Sequence, residues 1–346
     1  MSTTILSIES SCDDTSAAVL RDGVLLSNVI ASQKVHERYG GVVPELASRS
    51  HQQNIIPVVD DALKQAGVSV DDIQAIGFTR GPGLLGSLLV GSSFAKAFAL
   101  AKNCSLIEVN HLHGHVLANF IVTPETVGKE QAKFPFLCLL VSGGHTQIII
   151  VKSFTDMEII GTTIDDAAGE AFDKSAKILG LPYPGGPHID RHAKLGNPQA
   201  FKFNKPQIPD LDYSFSGLKT SILYFLQKEV QKNPNFITEN IDDICASVQS
   251  TIIEILLKKL VIAAKQTGIT DIVIGGGVAA NSGLRDAIVA AGEKYHWRTF
   301  LPELRYTTDN AAMIGLAAYH KFLAGEFATQ NIAPRARYSL QEYFAK

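Results

Sequence analysis

Cysteine is scarce in this 346-residue chain: Cys12, Cys104, Cys138 and Cys245 are scattered, and no two form a CxxC pair. That spacing excludes a disulfide framework and a cysteine-built metal site, and it fits a reducing compartment. Long hydrophobic runs are missing too. The most apolar stretches, 94–101 and 252–264, are broken by Lys96 and by Glu254, Lys258 and Lys259. Neither approaches the roughly 18 unbroken apolar residues of a membrane-spanning helix. The segment Met1 to Glu9 has no basic start and no cleavable apolar core, so no secretion signal is expected and a cytoplasmic setting is. An excess of one charge is also absent, since 31 basic and 34 acidic residues leave a net −3. A nucleic-acid partner would have to be met by a local patch or by a second protein. Lys202, Lys205, Lys219, Arg298, Arg305, Arg335 and Arg337 are candidates for such patches, although scattered cations are usually solvated surface.

What is present is ordinary globular material. Hydrophobic residues make up 46% and charged residues 19%, with 28 glycines and 14 prolines distributed among periodic segments. A chain of this length suggests two domains at about 150 residues each. Strands are predicted at 4–9, 15–20 and 24–31, joined by the hairpin turn Arg21-Asp-Gly23. A helix over 44–65 stops at Gly67, and a buried strand over 73–79 leads through Gly81-Pro-Gly83 into a helix over 84–102. A strand at 106–110 precedes a helix starting near His111. The scheme then repeats, with strands at 136–141, 146–152, 157–163, 271–274 and 298–300 and helices at 167–179, 216–231, 241–266, from 281, and 309–323. This is duplication of architecture rather than of residues. The reading is an α/β fold of two halves with mixed sheets flanked by helices. The halves are placed at 1–132 and 133–327, with a tail over 328–346 returning to the first half and a ligand cleft expected between the halves. The stretch 180–211 holds six of the 14 prolines and reads as an irregular insertion.

The sharpest cluster is His111-Leu-His113-Gly-His115, three of ten histidines within five residues. On a helix, His111 and His115 are i, i+4 and share a face, the spacing with which two imidazoles grip one divalent metal, while His113 points elsewhere. The second position is Leu112, so the glutamate of an HExxH protease is absent. Asp309 is the best carboxylate to complete such a site. Thr308 or Asp309 also suits the N-cap of the following helix, and by pattern alone capping is the commoner use. Glycine turns at Gly81–Gly83, Ser142–Gly144 and Gly275–Gly277 follow strands, where bare backbone can close on an anion. None matches a Rossmann or Walker pattern. Acidic residues gather in Glu9-Ser-Ser-Cys-Asp-Asp14 and in Asp165 to Asp173. Asp165 and Asp166 suit a helix start, and Glu170 with Asp173 could face ribose hydroxyls or simply solvent. In Asp212 to Lys219, Ser216 is a plausible N-cap, and the two aromatics could instead meet a nucleotide.

Taken together, these motifs resemble the TsaD family of tRNA threonylcarbamoyladenosine transferases (the Gcp/YgjD family, formerly described as O-sialoglycoprotein endopeptidases), within the actin-like, sugar-kinase superfamily. The match runs through Ile8 to Asp14, Gly40 to Glu45, Thr79 to Leu84, Asn110 to His115, Val141 to Thr146, Asp165 to Lys174, Tyr183 to Pro187, Tyr213 to Lys219, Gly275 to Asn281 and Thr308 to Ala311. The resemblance implies two ribonuclease H-like halves and one divalent metal, Fe(2+) ahead of Zn(2+), on His111, His115 and Asp309. It implies substrate contacts from Leu140, Val141, Ser142, Gly143 and Gly144, and nucleotide contacts from Asp173, Gly186, Asp190 and Asn281. Asp14 stands where the family commonly has glutamate, one methylene longer, and a catalytic role at that position is implied for it. Leu140 stands where archaeal relatives place a tyrosine near the metal. The implied reaction moves threonylcarbamoyl from threonylcarbamoyl-adenylate to the exocyclic amine of the adenosine beside the anticodon, in tRNAs reading codons that begin with A. A TsaB-like paralogue, docked on the helix over 44–66, and a TsaE-like ATPase are the implied partners. An ATPase or kinase of the same superfamily, a metalloprotease and a non-catalytic binding subunit are the alternatives.

Overall fold

The computed structural model describes residues 2–345. The chain forms two compact units, one of Met1–Gln131, Lys152–Met157 and Pro302–Lys346, the other of Ala132–Val151 and Glu158–Leu301. The first begins with the meander β1 (Thr4–Glu9), β2 (Thr15–Arg21) and β3 (Val24–Ala31). Asp22 and Gly23 both take positive φ, 51° and 79°, as a two-residue hairpin matched to strand twist requires. Then come α1 (Pro44–Ala66), β4 (Ala75–Gly81), α2 (Leu85–Lys102), β5 (Ser105–Asn110) and the short α3 (His111–Leu117). The second unit is built from β6 (Phe136–Val141), β7 (Thr146–Ser153), β8 (Asp156–Thr162), α4 (Ala168–Ile178), α5 (Gly185–Ala193), α6 (Ser216–Lys232), α7 (Phe236–Glu239), α8 (Ile241–Thr267), β9 (Asp271–Gly275), α9 (Ser282–Tyr295) and β10 (Arg298–Phe300). The chain ends with α10 (Ala311–Leu323) and α11 (Leu340–Phe344).

Each sheet has five strands, ordered β3-β2-β1-β4-β5 and β8-β7-β6-β9-β10. In both, the first strand of the meander pairs antiparallel with the second and parallel with the strand after the crossover. The two sheets therefore share one topology, the α/β duplication expected from the sequence. The first core joins Leu6, Ile8, Ala17 and Val19 to Ile55, Val58, Val59 and Ala62 of α1 and to Ala95 and Ala99 of α2. The second joins alternate residues of β6, Leu137, Leu139 and Val141, to α4, α6 and α8.

Two features depart from the sequence reading. The irregular stretch 180–211 contains α5. Its prolines do not forbid it, because Pro184 sits at the N-cap and Pro187 in the first turn, where the missing N–H has no acceptor to lose. The last long helix, α10, which the sequence reading groups with the second half, packs on β1, β2 and β4 of the first sheet. Two glycines allow that approach: a Cβ on Gly77 would lie 2.6 Å from the Ala318 methyl, and one on Gly315 would lie 2.3 Å from Leu20. No helix among the described residues is long and apolar enough to cross a membrane.

Candidate metal centre

Strand β5 runs directly into α3 at Asn110, whose side-chain oxygen accepts from the amides of Leu112 (2.9 Å) and His113 (3.4 Å) and so caps the helix. That cap fixes the turn on which His111 and His115 project side by side, with ring centroids 4.6 Å apart and planes at 87°. His113 faces the other way. Its Nε2 lies 2.7 Å from the Phe154 carbonyl, and Tyr343 and Phe344 pack on its ring. Burial pushes its pKa down to about 3, so it is a neutral structural residue.

Asp309 reaches the two histidines from the turn before α10. The N-cap of α10 is Asn310, not Thr308 or Asp309, and its Oδ1 accepts from the Met313 amide at 3.0 Å. The Ala311 and Ala312 amides donate to Ser16 Oγ (2.9 Å) and Asn28 Oδ1 (3.1 Å) on β2 and β3. The first orphan N–H groups of α10 are thus satisfied by neighbours, which leaves the Asp309 carboxylate available. Its Oδ1 lies 3.1 Å from His115 Nε2 and 3.4 Å from His111 Nε2. The three candidate ligand atoms all lie within 4.8 Å of one another.

Behind His111 stands a carboxylate to which the sequence reading gave no role. Glu9, fully buried at the end of β1, places Oε2 3.1 Å from His111 Nδ1 and accepts the Thr79 hydroxyl at 2.6 Å. Its Oε1 accepts the Ser11 amide, and Ser11 Oγ lies 3.2 Å from His111 Nδ1. One signal marked it: Glu9 is the only charged residue in an otherwise uncharged buried strand. Burial alone would lower the His111 pKa, but the Asp309 and Glu9 carboxylates outweigh it and hold that pKa well above the ordinary histidine value. Burial would likewise raise the acids, and the facing His111 charge keeps both Glu9 and Asp309 below the usual carboxylate range. His115 has no carboxylate behind it, its Nδ1 is buried without a hydrogen-bond partner, and burial lowers its pKa.

This donor set fits a divalent cation. Two imidazole Nε2 atoms and one carboxylate converge, a second carboxylate orients one imidazole from behind, and no lysine or arginine is hydrogen-bonded or ion-paired to the three ligands among the described residues. Three protein ligands leave coordination positions open, as in catalytic rather than closed structural sites. The mixed nitrogen and oxygen set suits iron and zinc alike.

Asp14 lies in the turn after β1. Burial, opposed by a hydrogen bond from Ser32 and reinforced by the charges of Asp13, Asp309 and Glu9, raises its carboxyl to about 7. The turn is fixed by His51 of α1, whose ring nitrogens lie 2.7 Å from Thr15 Oγ1 and 3.0 Å from the Cys12 carbonyl. The glycine turn Gly81–Gly83 is closed by protein. Its Gly83 amide donates to the Ala336 carbonyl at 3.1 Å, and a Cβ on Gly81 would fall 1.9 Å from the Arg335 carbonyl oxygen, so this turn serves packing and offers nothing to an anion.

The remaining candidates lie in the second unit. Leu140 and Val141 are fully buried in β6. Ser142 to Gly144 turn the chain between β6 and β7, with the Ser142 amide donating to the His145 carbonyl at 2.8 Å. Gly143 and Gly144 are exposed, and a Cβ on either would meet open space. The start of α4 and the loop after β9 close on this turn: a Cβ on Gly169 would lie 2.7 Å from the Ser142 carbonyl oxygen, and one on Gly276 2.4 Å from that of Val141. Asp173 accepts the Gly185 amide at 2.8 Å and also the Gly186 amide, which ties α5 to α4. Asp190 accepts the Ser282 hydroxyl at 2.7 Å. Asn281 caps α9 through the Leu284 amide (2.9 Å) and donates to Gln249 (2.6 Å). The segments carrying these four residues are therefore linked in pairs, Asp173 with Gly186 and Asp190 with the residue next to Asn281. Asp165 does not serve the start of α4. It accepts from Phe215 N (2.8 Å), Ser216 Oγ (2.9 Å) and Ser214 Oγ, and so organises the entry to α6, whose N-cap is Phe215 rather than Ser216.

Paired sheets of one topology define the actin-like class of α/β proteins, here with a histidine–aspartate cluster in the first unit that could hold a metal ion. Among solved structures, T. kodakarensis HypF matches at TM-score 0.60 with 12% identity over 95% of this chain and 49% of its own. The Acidaminococcus fermentans (R)-2-hydroxyglutaryl-CoA dehydratase component A matches at TM-score 0.51 with 16% identity over 93% and 98%. These likenesses speak to fold alone. At the level of sequence, the family model for TsaD, tRNA N6-adenosine threonylcarbamoyltransferase, matches residues 24–316. The proteins of that name from Christiangramia forsetii and Riemerella anatipestifer are 59% and 60% identical to the chain, covering 96% and 97% of it and 97% and 98% of themselves. The chain belongs to the TsaD family, and it is a transferase of tRNA modification.

Proposed function

We propose that the chain transfers the threonylcarbamoyl group from threonylcarbamoyl-adenylate to the exocyclic amine of the adenosine adjacent to the anticodon, in tRNAs that read codons beginning with A. The observation that carries this reading is the cluster of His111, His115 and Asp309 ligand atoms within 4.8 Å, in a chain that belongs to this family. The reading assigns a divalent metal, Fe(2+) ahead of Zn(2+), to those three residues. When bound, such an ion acts as a Lewis acid toward carbamoyl or phosphate oxygen and orients the groups it holds.

The rest falls to the protein. Bond formation joins the adenosine nitrogen to the carbamoyl carbon, the bond from that carbon to the phosphate oxygen breaks, and AMP departs with the electron pair. The amine is a poor nucleophile, so positioning and electrostatics supply most of the rate. Leu140 to Gly144 are assigned to the donor. The open backbone of Gly143 and Gly144 allows close approach of an acyl-phosphate, and Asp173, Gly186, Asp190 and Asn281 are assigned to its nucleoside. Asp14, with its carboxyl raised to about 7, is poised to take the proton the amine releases. Partnership with a TsaB-like paralogue and a TsaE-like ATPase, and a cytoplasmic location, complete the reading.

The test is nucleoside mass spectrometry of tRNA from cells depleted of this protein and rescued with wild type or His111→Ala. Loss of threonylcarbamoyladenosine, restored only by wild type, is expected, with at least a ~100-fold lower transfer rate for the variant in vitro. Restoration by His111→Ala would remove the metal from the mechanism. An unchanged modification level in depleted cells with no second homologue would end the transferase reading.

A further inference from the structure

We propose that Glu9 is a positioning residue for the metal, selecting the His111 tautomer whose Nε2 can coordinate. The inference rests on the metal reading of His111, His115 and Asp309. An imidazole binds a cation through an unprotonated nitrogen, so the other nitrogen must carry the proton and benefits from a fixed acceptor. Asp309 and His115 lie on the Nε2 side of His111, at 3.4 Å for Asp309 Oδ1. On the Nδ1 side lies Glu9 Oε2, 3.1 Å away and fully buried. Glu9 is itself held from two directions, by the Thr79 hydroxyl of β4 at 2.6 Å and by the Ser11 amide. These donors orient the carboxylate, which when ionised is an acceptor only. Ser11 Oγ, at 3.2 Å from the same nitrogen, can donate or accept and so does not by itself choose a tautomer. The arrangement is asymmetric, since His115 Nδ1 has no partner. Among the described residues, Glu9 is therefore the one carboxylate behind either imidazole.

Replacement by glutamine would reverse the polarity at this contact. The Ser11 amide keeps the side-chain oxygen on its own side, so the new NH2 group faces Thr79 and His111. A donor there turns His111 Nδ1 into an acceptor and moves the ring proton to Nε2, the coordinating position. Glu9→Gln preserves shape but favours the wrong tautomer. Thr79→Val removes one donor and leaves the carboxylate in contact with His111.

The experiment titrates the metal-free full-length protein with Co(2+) and follows visible d–d absorption, with Zn(2+) competition for affinity. His111→Ala is the control, and circular dichroism checks folding of every variant. The expected result is one Co(2+) bound by wild type, a 10–100-fold weaker affinity with an altered spectrum for Glu9→Gln, and a smaller loss for Thr79→Val, which loosens Glu9 but leaves its carboxylate facing His111. If Glu9→Gln unfolds, Glu9→Asp, which keeps the charge but withdraws it from Nδ1, is expected to show the same loss. Wild-type affinity and spectrum in Glu9→Gln, or in Glu9→Asp if that variant is the one tested, would overturn the proposal while leaving the metal reading intact. Failure of wild type to bind Co(2+) or Zn(2+) would overturn the metal reading and the proposal with it.

Discussion

His111 and His115 announce themselves because their relation is local: four residues on one helix put two imidazoles on one face. Asp309 stands 194 residues beyond His115, and its own neighbourhood looks like a helix cap. The pattern offered Asp309 as the best carboxylate but favoured capping, and the resemblance moved it to candidate ligand; only the fold shows that Asn310 takes the capping role. Asp14 poses a different question, because its chemistry is set by burial rather than by type. Its carboxyl is raised to about 7 from 3.8. Between those values the folded state holds a proton that the unfolded chain has lost, so this group erodes stability as pH rises through that window. Asp14→Asn is expected to stabilise the metal-free protein by about 1–3 kcal/mol at pH 8, with the gain vanishing below pH ~4. It is expected to lower transfer at the same time, since a half-buried acid kept at a stability cost is a mark of function. Denaturant melts at the two pH values, beside a single-turnover assay, decide the matter. A variant that is no more stable and fully active would return Asp14 to the ordinary turn residues.

At the scale of elements, the helices were legible where caps and apolar periodicity agreed, as in α1 with its left-handed Gly67. They were hidden where local rules point the other way. The prolines of α5 speak against a helix until their positions in its first turn are known. Ser216 looks like a cap, but Asp165, about fifty residues earlier, performs that task from another loop. The start of α10 is the element on which the candidate metal centre depends. Ser16, Asn28 and Asn310 satisfy its first three amides, and the residue just before the cap Asn310 is Asp309. Asn310→Ala is expected to cost about 1 kcal/mol of stability. Because the turn then loses the bond from Asn310 Nδ2 to the Thr308 carbonyl as well (2.7 Å), metal affinity is expected to fall several-fold. Calorimetry for melting and Zn(2+) competition for affinity separate the two effects. A melt that drops while the affinity holds would mean that Asp309 is fixed by its histidines alone.

On the scale of the whole molecule, the duplication of the sheets was readable because hairpin, strand and crossover recur in the same order. The place of α10 was not, since that helix returns to the first sheet after the entire second unit has intervened. The segment beyond α10 is bound to the first unit as well. The Arg335 amide donates to the Arg80 carbonyl at 2.8 Å, and the Tyr338 carbonyl accepts from Asn110 Nδ2 at 2.9 Å. The guanidinium groups of Arg80 and Arg335 lie over the Tyr338 ring, 5.0 and 5.1 Å from its centre. The Tyr343 hydroxyl takes a bond from the buried Lys321 ammonium at 2.9 Å. This strap holds Asn110, the cap of α3, and His113, the ring between the two candidate ligands in sequence. Ending the chain after Ala333 would expose apolar surface around His113 and deprive Lys321 of one of its partners, a combined loss of about 3–5 kcal/mol. The shortened protein is expected to melt several degrees lower and to hold Zn(2+) more weakly. Weakening is expected because the helix that presents His111 and His115 loses support at its cap and on its rear face together. A shortened chain that melts lower but binds Zn(2+) as wild type does would show that α3 is positioned by β5 and α10 without the strap, and would confine the C-terminal segment to stability.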